Sequence, residues 1–407
     1  MNVLFVHLFA PGQFEHIARH LAIEKGHRCT FVCEKAIGTT GGIGRLRCRL
    51  DGRPSRQAHY YARPFEEGVR RAAGVYRAMK PLRNRLRPDL IVGHSGFGST
   101  LFLSELFPDT PIINYFEYYC DAQHSLHTFR PEWVAREHDL LRSRARNAMM
   151  LLDLENCAAG YAPTDFQKSL FPLAYRSKIR VIHDGIDTDY WRRQRLPERR
   201  IGRMRFDGDT RIVTYVSRGL ESTRGFDIFL KAAKKIYEAE PRVVFLVVGG
   251  EQIYYGPDIK YIREKSFFRH AWNQGNYDIR RFRFLGQVSR RSLARILSSS
   301  DLHIYLTIPF VMSWSLLNAM ACECTILGSD TPPVKEVIRN NQNGLLRNFF
   351  DVEGLALLAL KVLEEPGAYR HLGRAARKTI LEKYSLPVIL PRLTSFYEGV
   401  AGRTRQS

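Results

Sequence analysis

The sequence predicts an α/β fold of two parallel-sheet domains, and three observations carry that expectation. An apolar run, a glycine turn, an amphipathic stretch and a second apolar run succeed one another between residues 2 and 33. The same succession restarts at residue 211 and fills the second half of the 407-residue chain. Between the halves lies a polar, Arg-rich stretch, 191–209, with the composition of a linker. Parallel strands need a crossover, and an intervening helix supplies it, so strands alternating with helices indicate doubly wound, Rossmann-like sheets.

Residues 2–8 (NVLFVHL) read as the first strand, Pro11-Gly12 as its turn, 14–25 as a helix closed by Gly26, and 28–33 as the second strand. Further buried strands are expected at 89–93, 111–116 and 179–183. In the second half, strands are expected at 211–216, 242–248, 282–285, 302–306 and 325–328, with helices at 225–238, 289–298 and 313–322. The expected domains are 1–190 and 210–387, joined by 191–209, with a helix at about 388–407 packing back on the first.

The composition is that of an ordinary globular protein, at 44% apolar and 25% charged residues. No run of 18 apolar residues occurs, so no transmembrane helix is expected. The N-terminus lacks a basic leader segment and reads as a strand rather than a signal peptide. The seven cysteines are scattered, and neither Cys29/Cys33 nor Cys322/Cys324 has zinc-site spacing. Reduced thiols in the cytoplasm are the expectation. The net charge of +21 bears on partners rather than on fold: acidic membranes, nucleic acid and phosphate-bearing substrates all fit it.

Candidate ligand residues cluster where strands end. Ser217-Arg218-Gly219 through Arg224-Gly225 follows strand 211–216 and precedes a helix. Two guanidinium forks beside a helix N-terminus suit a diphosphate; the other reading is a solvated loop in an Arg-rich chain. At 307–318 (TIPFVMSWSLLN) a strand turns into a helix that Ser313 or Ser315 can cap, with Trp314 nearby; the other reading is an ordinary packed turn. Thr331, Pro333, Val334 and Glu336 lie on a proline-fixed loop after strand 325–328, and Gly250 ends strand 242–248. In the first half, Gly12 and Gln13 form the first turn, His94 follows strand 89–93 among glycines, and Glu117 ends strand 111–116. Each also has a purely structural reading. No metal motif stands out, and no Asp-x-Asp sits at a strand end in the manner that would hold a divalent ion.

Taken in order, these segments resemble retaining glycosyltransferase family 4, of the GT-B fold. The resemblance runs through VIHDGID (182–187 and its flank), SRGLESTRGFDIFLKAA (217–233), VVFLVVGG (243–250), FLGQVSRRSLARILSSSDLHIYLT (284–307) and LLNAMACECTILGSDTPPVKEVIRNNQNGLL (316–346). The first half, with APGQFEHIARHL, DLIVGHSGFGSTLFL and YFEYY, is similar to a bacterial branch with a PGQF-type opening. The resemblance implies two Rossmann-like domains with the active site in an interdomain cleft. It implies that Arg218 and Arg224, the latter where the family usually has Lys, bind the donor diphosphate, that Gly12 faces it, and that His94 lies near the transferred sugar. The family typically carries two Glu residues separated by seven others. Here those positions are Phe310 and Asn318, which changes how donor sugar and ribose are held.

The implied function is retaining transfer from a UDP- or GDP-sugar to a glycan or lipid-linked acceptor, in bacterial polysaccharide or glycoconjugate synthesis, without a metal or other cofactor. Arg218, Arg224 and the helix start near Ser313–Ser315 would stabilise the departing diphosphate. The rivals are a catalytically weakened homologue serving as a binding partner, and a nucleotide-sugar epimerase of the same fold. Nucleic acid is not expected as a partner, since no recognised motif interleaves aromatics with the basic residues. Residues 66–87 read as a basic amphipathic helix, either docking on an anionic membrane or presenting a solvated face; the expected location is the cytoplasm, peripheral on the inner membrane face in the first case.

Overall fold

The computed structural model describes all residues except 37–40, 42, 53, 54, 56, 122–127, 134 and 404–407. The chain divides into two compact units, the first comprising 1–123, 135–185 and 386–407, and the second 124–134 and 186–385.

The first unit is built on β1 (Asn2–Ala10), β2 (Arg28–Ala36), β3 (Gly44–Arg47), β4 (Leu90–His94), β5 (Ile112–Tyr115), β6 (Ala159–Ala162) and β7 (Ile179–Val181). All pair in parallel in the order β3-β2-β1-β4-β5-β6-β7. The opening apolar run is explained by burial on both faces. Val3 and Phe5 of β1 point into one core with Phe14, Ile17 and Phe31, while Leu4 and Val6 point into another with Val75, Met79 and Leu154. Helix Leu386–Arg403 lays Ile389, Leu393, Phe396 and Tyr397 on the Phe5 side. Tyr397 and Tyr161 share a buried hydroxyl–hydroxyl hydrogen bond of 2.9 Å.

The long basic segment of this unit is a helix over Arg63–Met79. Pro81 has no N–H to donate, and the chain tightens to a 3-10 turn at Lys80–Leu82 before one last turn, Arg83–Leu86. Most of the helix's arginines are engaged within the protein. Arg70 donates to Glu66 and to the Asp51 carbonyl, Arg71 to Glu34, Glu67 and the Phe97 carbonyl, and Arg77 to Asp51. Arg63 and Arg77 are nonetheless exposed, and further exposed positive charge follows on Lys80, Arg83, Arg85 and Arg87.

In the second unit, β8 (Arg200–Ile201) and β9 (Met204–Arg205) form a small hairpin within the stretch expected as a linker. Trp191, Ile201 and Phe206 of that stretch are buried in the unit's core. The main sheet comprises β10 (Arg211–Gly219), β11 (Val243–Gly250), β12 (Phe282–Phe284), β13 (Leu302–Tyr305), β14 (Ile326–Ser329) and β15 (Leu345–Arg347). Its order, β12-β11-β10-β13-β14-β15, repeats that of the first six strands of the other unit. One face carries Ile212 and Val216; on the other, Tyr215 stacks on Phe229 of helix Phe226–Ala239, and Phe245 stacks on Phe282.

In each unit the strand order reverses beside the first strand, between β1 and β4 and between β10 and β13. Outside the carboxyl ends at such a reversal the flanking loops diverge, leaving a crevice where doubly wound sheets bind ligands. The candidate residues follow β1, β4 and β5 in one unit, and β10, β11, β13 and β14 in the other. Among the described residues, no helix is long and apolar enough to cross a membrane.

Candidate active site

In the first unit, β1 runs into a tight turn, Gly12–Phe14, in which Gly12 adopts φ +56°. A Cβ at Gly12 would stand 2.9 Å from the His7 ring, so glycine is needed both for the backbone and for the space. His7 is buried and meets His94 edge-on, with ring centroids 5.1 Å apart. Burial, with the neighbouring His94 adding to it, lowers the His7 pKa to about 3, so its ring is neutral at physiological pH.

His94 ends β4 and is 3% exposed. Its Nδ1 lies 2.9 Å from the Ser95 carbonyl, which can only accept, so that nitrogen carries the hydrogen. Nε2 is turned toward Glu117 Oε2 at 3.6 Å. Glu117 also accepts from Gln13 Nε2 at 3.4 Å, and its backbone carbonyl accepts from Gln167 Nε2 at 2.6 Å. Burial works to raise the Glu117 pKa; the facing His94, with the Gln13 hydrogen bond, outweighs it and holds the carboxyl below its usual range. The structure thus gathers Gly12, Gln13, His94 and Glu117 into one group over the β1/β4/β5 ends.

Beneath this group lies Asp153, which sequence reasoning missed. It is buried in helix Ala148–Asn156 and accepts from Ser95 Oγ at 3.0 Å and the Gly96 N–H at 2.8 Å. These bonds fix the loop that follows His94. Burial dominates over them and pushes the Asp153 pKa up to about 6.

In the second unit, the β10 loop turns through Ser222–Arg224 into helix Phe226–Ala239. Two buried carboxylates hold the loop from within. Glu221 accepts from the Tyr254 N–H at 2.8 Å, the Tyr255 N–H at 3.1 Å and Thr223 Oγ1 at 2.8 Å. Asp258 accepts from the Ser222 N–H at 3.0 Å and from its hydroxyl. Burial raises both, Asp258 to about 6, against the pull of these hydrogen bonds. The acid inside an otherwise cationic motif, at Glu221, was the available sequence signal; Asp258 had none.

The two arginines of this loop differ in their settings. Arg218 is exposed, with its guanidinium 4.1 Å from the Tyr254 ring centroid and Nη1 3.4 Å from the Tyr255 hydroxyl. Arg224 is buried: Nη1 donates to Thr307 Oγ1 at 2.8 Å and to the Val311 carbonyl at 3.2 Å. The rings of Tyr255 and Phe310 cover it, at 5.7 and 5.6 Å from its guanidinium carbon, and lie 5.2 Å from each other. Tyr255 therefore touches both arginines. Gly250 ends β11 beside them, its carbonyl accepting from the Leu220 N–H at 2.9 Å.

Helix Trp314–Ala321 starts after β13 and is capped by Ser313, whose Oγ accepts from the Ser315 N–H at 3.2 Å. The Ser313 N–H donates to the Tyr305 hydroxyl at 3.1 Å. Trp314 is exposed, whereas Asn318, one turn along, is buried. Thr331 and Ser329 donate to the Thr307 carbonyl at 3.2 and 3.0 Å, tying the β14 loop to the β13 loop. Pro333 and Val334 pack inward on the short helix Pro332–Lys335; Glu336, half-buried, follows it. Asp187-Thr188-Asp189 is an Asp-x-Asp by spacing, but Asp187 accepts from the Asp189 and Tyr190 N–H groups and serves as a turn residue. Among the described residues, no three His, Cys, Asp or Glu side chains are grouped to hold a metal ion.

Comparison with known proteins agrees with this construction. A model of the "Glycosyl transferase family 4 group" matches residues 25–191, and one of "Glycosyl transferases group 1" matches 198–379. N-acetyl-alpha-D-glucosaminyl L-malate synthase of Bacillus anthracis is 29% identical over 29% of this chain and 30% of its own. Phosphatidyl-myo-inositol mannosyltransferase of Mycolicibacterium smegmatis is 25% identical over 47% of this chain and 46% of its own. The chain spans about half or less of the length of these curated relatives. Among solved structures, sucrose-phosphate synthase from Thermosynechococcus elongatus superposes with a TM-score of 0.72 at 17% identity, covering 98% of this chain and 99% of its own. HepE of Anabaena, in complex with UDP-glucose, gives 0.70 at 14% identity over 98% and 99%. Two family models in succession, on two Rossmann-type sheets, place the chain in the family 4 and group 1 glycosyltransferases, with the GT-B fold.

Proposed function

We propose that the protein transfers a sugar from a nucleoside diphosphate sugar, UDP- or GDP-linked, to a glycan or lipid-linked acceptor, with retention of anomeric configuration and without a metal. The observation that carries this reading is the β10 loop. It holds Arg218, exposed, and Arg224, buried behind Tyr255 and Phe310, before a helix N-terminus outside the reversal point of a Rossmann sheet, and is braced by Glu221 and Asp258. Fixed positive charge at a helix start is the arrangement that stabilises a departing diphosphate.

In the transfer, the bond from the sugar C1 to the diphosphate oxygen breaks and a bond from C1 to the acceptor oxygen forms. The acceptor's proton passes to the leaving phosphate on the same face. Arg218, Arg224 and the positive end of helix Trp314–Ala321, near Ser313–Ser315, balance the charge that develops. His94, held by the Ser95 carbonyl and facing Glu117, is a group suited to orienting a sugar hydroxyl. A lipid-linked acceptor is compatible with the exposed Lys80, Arg83, Arg85 and Arg87, which would meet an anionic membrane surface from the cytoplasmic side.

Phe310 over Arg224 favours examining a second reading, a weakened homologue that binds without transferring. Thermal shift with UDP, GDP, ADP and CMP, without added metal, separates both from a protein that binds no nucleotide, and a product assay then separates the two from each other. A selective rise for one diphosphate followed by glycosylated product supports transfer; a rise with no product on any acceptor supports the binding partner. Inverted product, or activity abolished by EDTA, would overturn the retaining, metal-independent mechanism. Donor isomerised without an acceptor would point to an epimerase.

A further inference from the structure

Residues 128–133 lie in sequence between β5 and the next helix of the first unit, yet they pack on the second unit. At their centre is Arg130, 4% exposed. Its Nη1 donates to the Ser222 carbonyl at 2.9 Å and to Asp227 Oδ1 at 3.1 Å; Nη2 closes the fork on Asp227 Oδ2, and Nε donates to Glu132 at 2.6 Å. Aromatic contacts hold the segment down on both sides. Phe129 stacks on Phe350 at 5.3 Å, and Trp133 lies parallel to Tyr261 at 5.0 Å.

The partners of Arg130 belong to the donor-phosphate turn. Ser222 begins the Ser222–Arg224 turn, and Asp227 stands in the first turn of the helix that follows. Asp227 is 8% exposed, so its carboxylate is a buried negative charge at the helix end where an anion would bind. A negative charge there favours the helix dipole but opposes an incoming diphosphate. The Arg130 fork cancels that charge, and its bond to the Ser222 carbonyl adds to the hold that Asp258 has on the Ser222 N–H and hydroxyl.

We infer that Arg130 is a positioning residue for donor binding: it neutralises Asp227 and sets the Ser222–Arg224 turn, and with it the loop's arginines, for the diphosphate. The inference rests on the proposed nucleotide-sugar function and names a part of the site contributed by a segment remote in sequence. Arg130 does not itself touch the donor. Removing it leaves a buried carboxylate unpaired beside the phosphates, and charge at that site acts on the phosphates far more than on the nucleoside.

Titration calorimetry tests this with UDP or GDP, whichever the wild-type protein binds, and the matching nucleoside. Arg130→Met is expected to weaken diphosphate binding about tenfold or more, equivalent to about 1.4 kcal/mol, while the nucleoside changes less than about twofold. Arg130→Lys keeps the charge without the fork and is expected to fall between. Arg130→Met/Asp227→Asn removes both charges and is expected to recover part of the loss, which a purely structural role of Arg130 would not produce. Should Arg130→Met fail to fold, Arg130→Lys and the double variant carry the test. Equal loss of diphosphate and nucleoside, or unchanged diphosphate affinity, overturns the inference alone. Wild-type protein that binds no nucleoside diphosphate overturns the proposed function and this inference with it.

Discussion

Arg224 lies under Phe310, its guanidinium carbon 5.6 Å from the ring centroid, with its Nη1 fixed on Thr307 and the Val311 carbonyl. The ring is 6% exposed and shares the cover with Tyr255, so it both packs and shields a cation. Phe310→Ala is expected to lower unfolding free energy by about 3 kcal/mol, the low end for a buried Phe because the cavity opens beside the half-buried Tyr255 ring. Urea denaturation reads it; a loss under about 1 kcal/mol would show that Phe310 is not a packing residue.

Asp258 gives a pH signature in the opposite sense from most carboxylates. Burial raises it to about 6, whereas an unfolded chain releases that proton near pH 4. The stabilisation of the protonated form is therefore complete below about pH 4 and lost as pH rises through about 6. Two units correspond to about 3 kcal/mol. Measured by urea unfolding at a series of pH values, Asp258→Asn should gain on wild type by up to this amount between pH 4 and 6.5. A difference that stays constant across the range would refute the assignment.

Glu117 shows the ordinary sign. Its carboxyl is held below the usual range by His94 and Gln13 despite burial, so its contribution is present at neutral pH and lost as pH falls through the folded value. Melting temperatures of Glu117→Gln should lie below wild type near pH 6 and converge on it toward pH 3. Curves that diverge on acidification would contradict the pairing with His94.

Gly12→Ala and Gly26→Ala form a matched pair. Both positions have positive φ, +56° and +66°, but only at Gly12 does an added Cβ meet a neighbour, the His7 ring at 2.9 Å. The backbone cost is about 1 kcal/mol in each, and Gly12→Ala should add about 1–2 kcal/mol more from displacement of the buried ring. Calorimetric melting decides; equal losses would mean that His7 yields freely.

The parts of the fold legible in the sequence are those set by local pattern. β1 and β10 announced themselves because both faces of each are buried, leaving unbroken apolar runs. β3, with GRLR on a sheet edge, and β6, with AGYA, carried no such run, since edge exposure in one and close packing of Gly160 on Phe116 in the other call for different residues. Site residues at strand ends were legible for the same topological reason. Asp153, Asp258 and Arg130 were not: their partners lie 57, 36 and 92 residues away, and a buried acid or arginine looks in sequence like a solvated one. The basic segment after residue 63 shows the converse, its arginines reading as a free face although Arg70, Arg71 and Arg77 are paired across the fold.

Helix Leu386–Arg403 has a consequence for how the protein comes into being. The core around Phe5 and Phe31 is completed by Ile389, Leu393, Phe396 and Tyr397, which are synthesised only after the whole of the second unit's sheet. On the ribosome, the amino-terminal half must wait, with one face of its sheet uncovered, while the later half is already free to fold. Arrival of a helix more than 350 residues downstream, rather than emergence of its own strands, is the event that closes it.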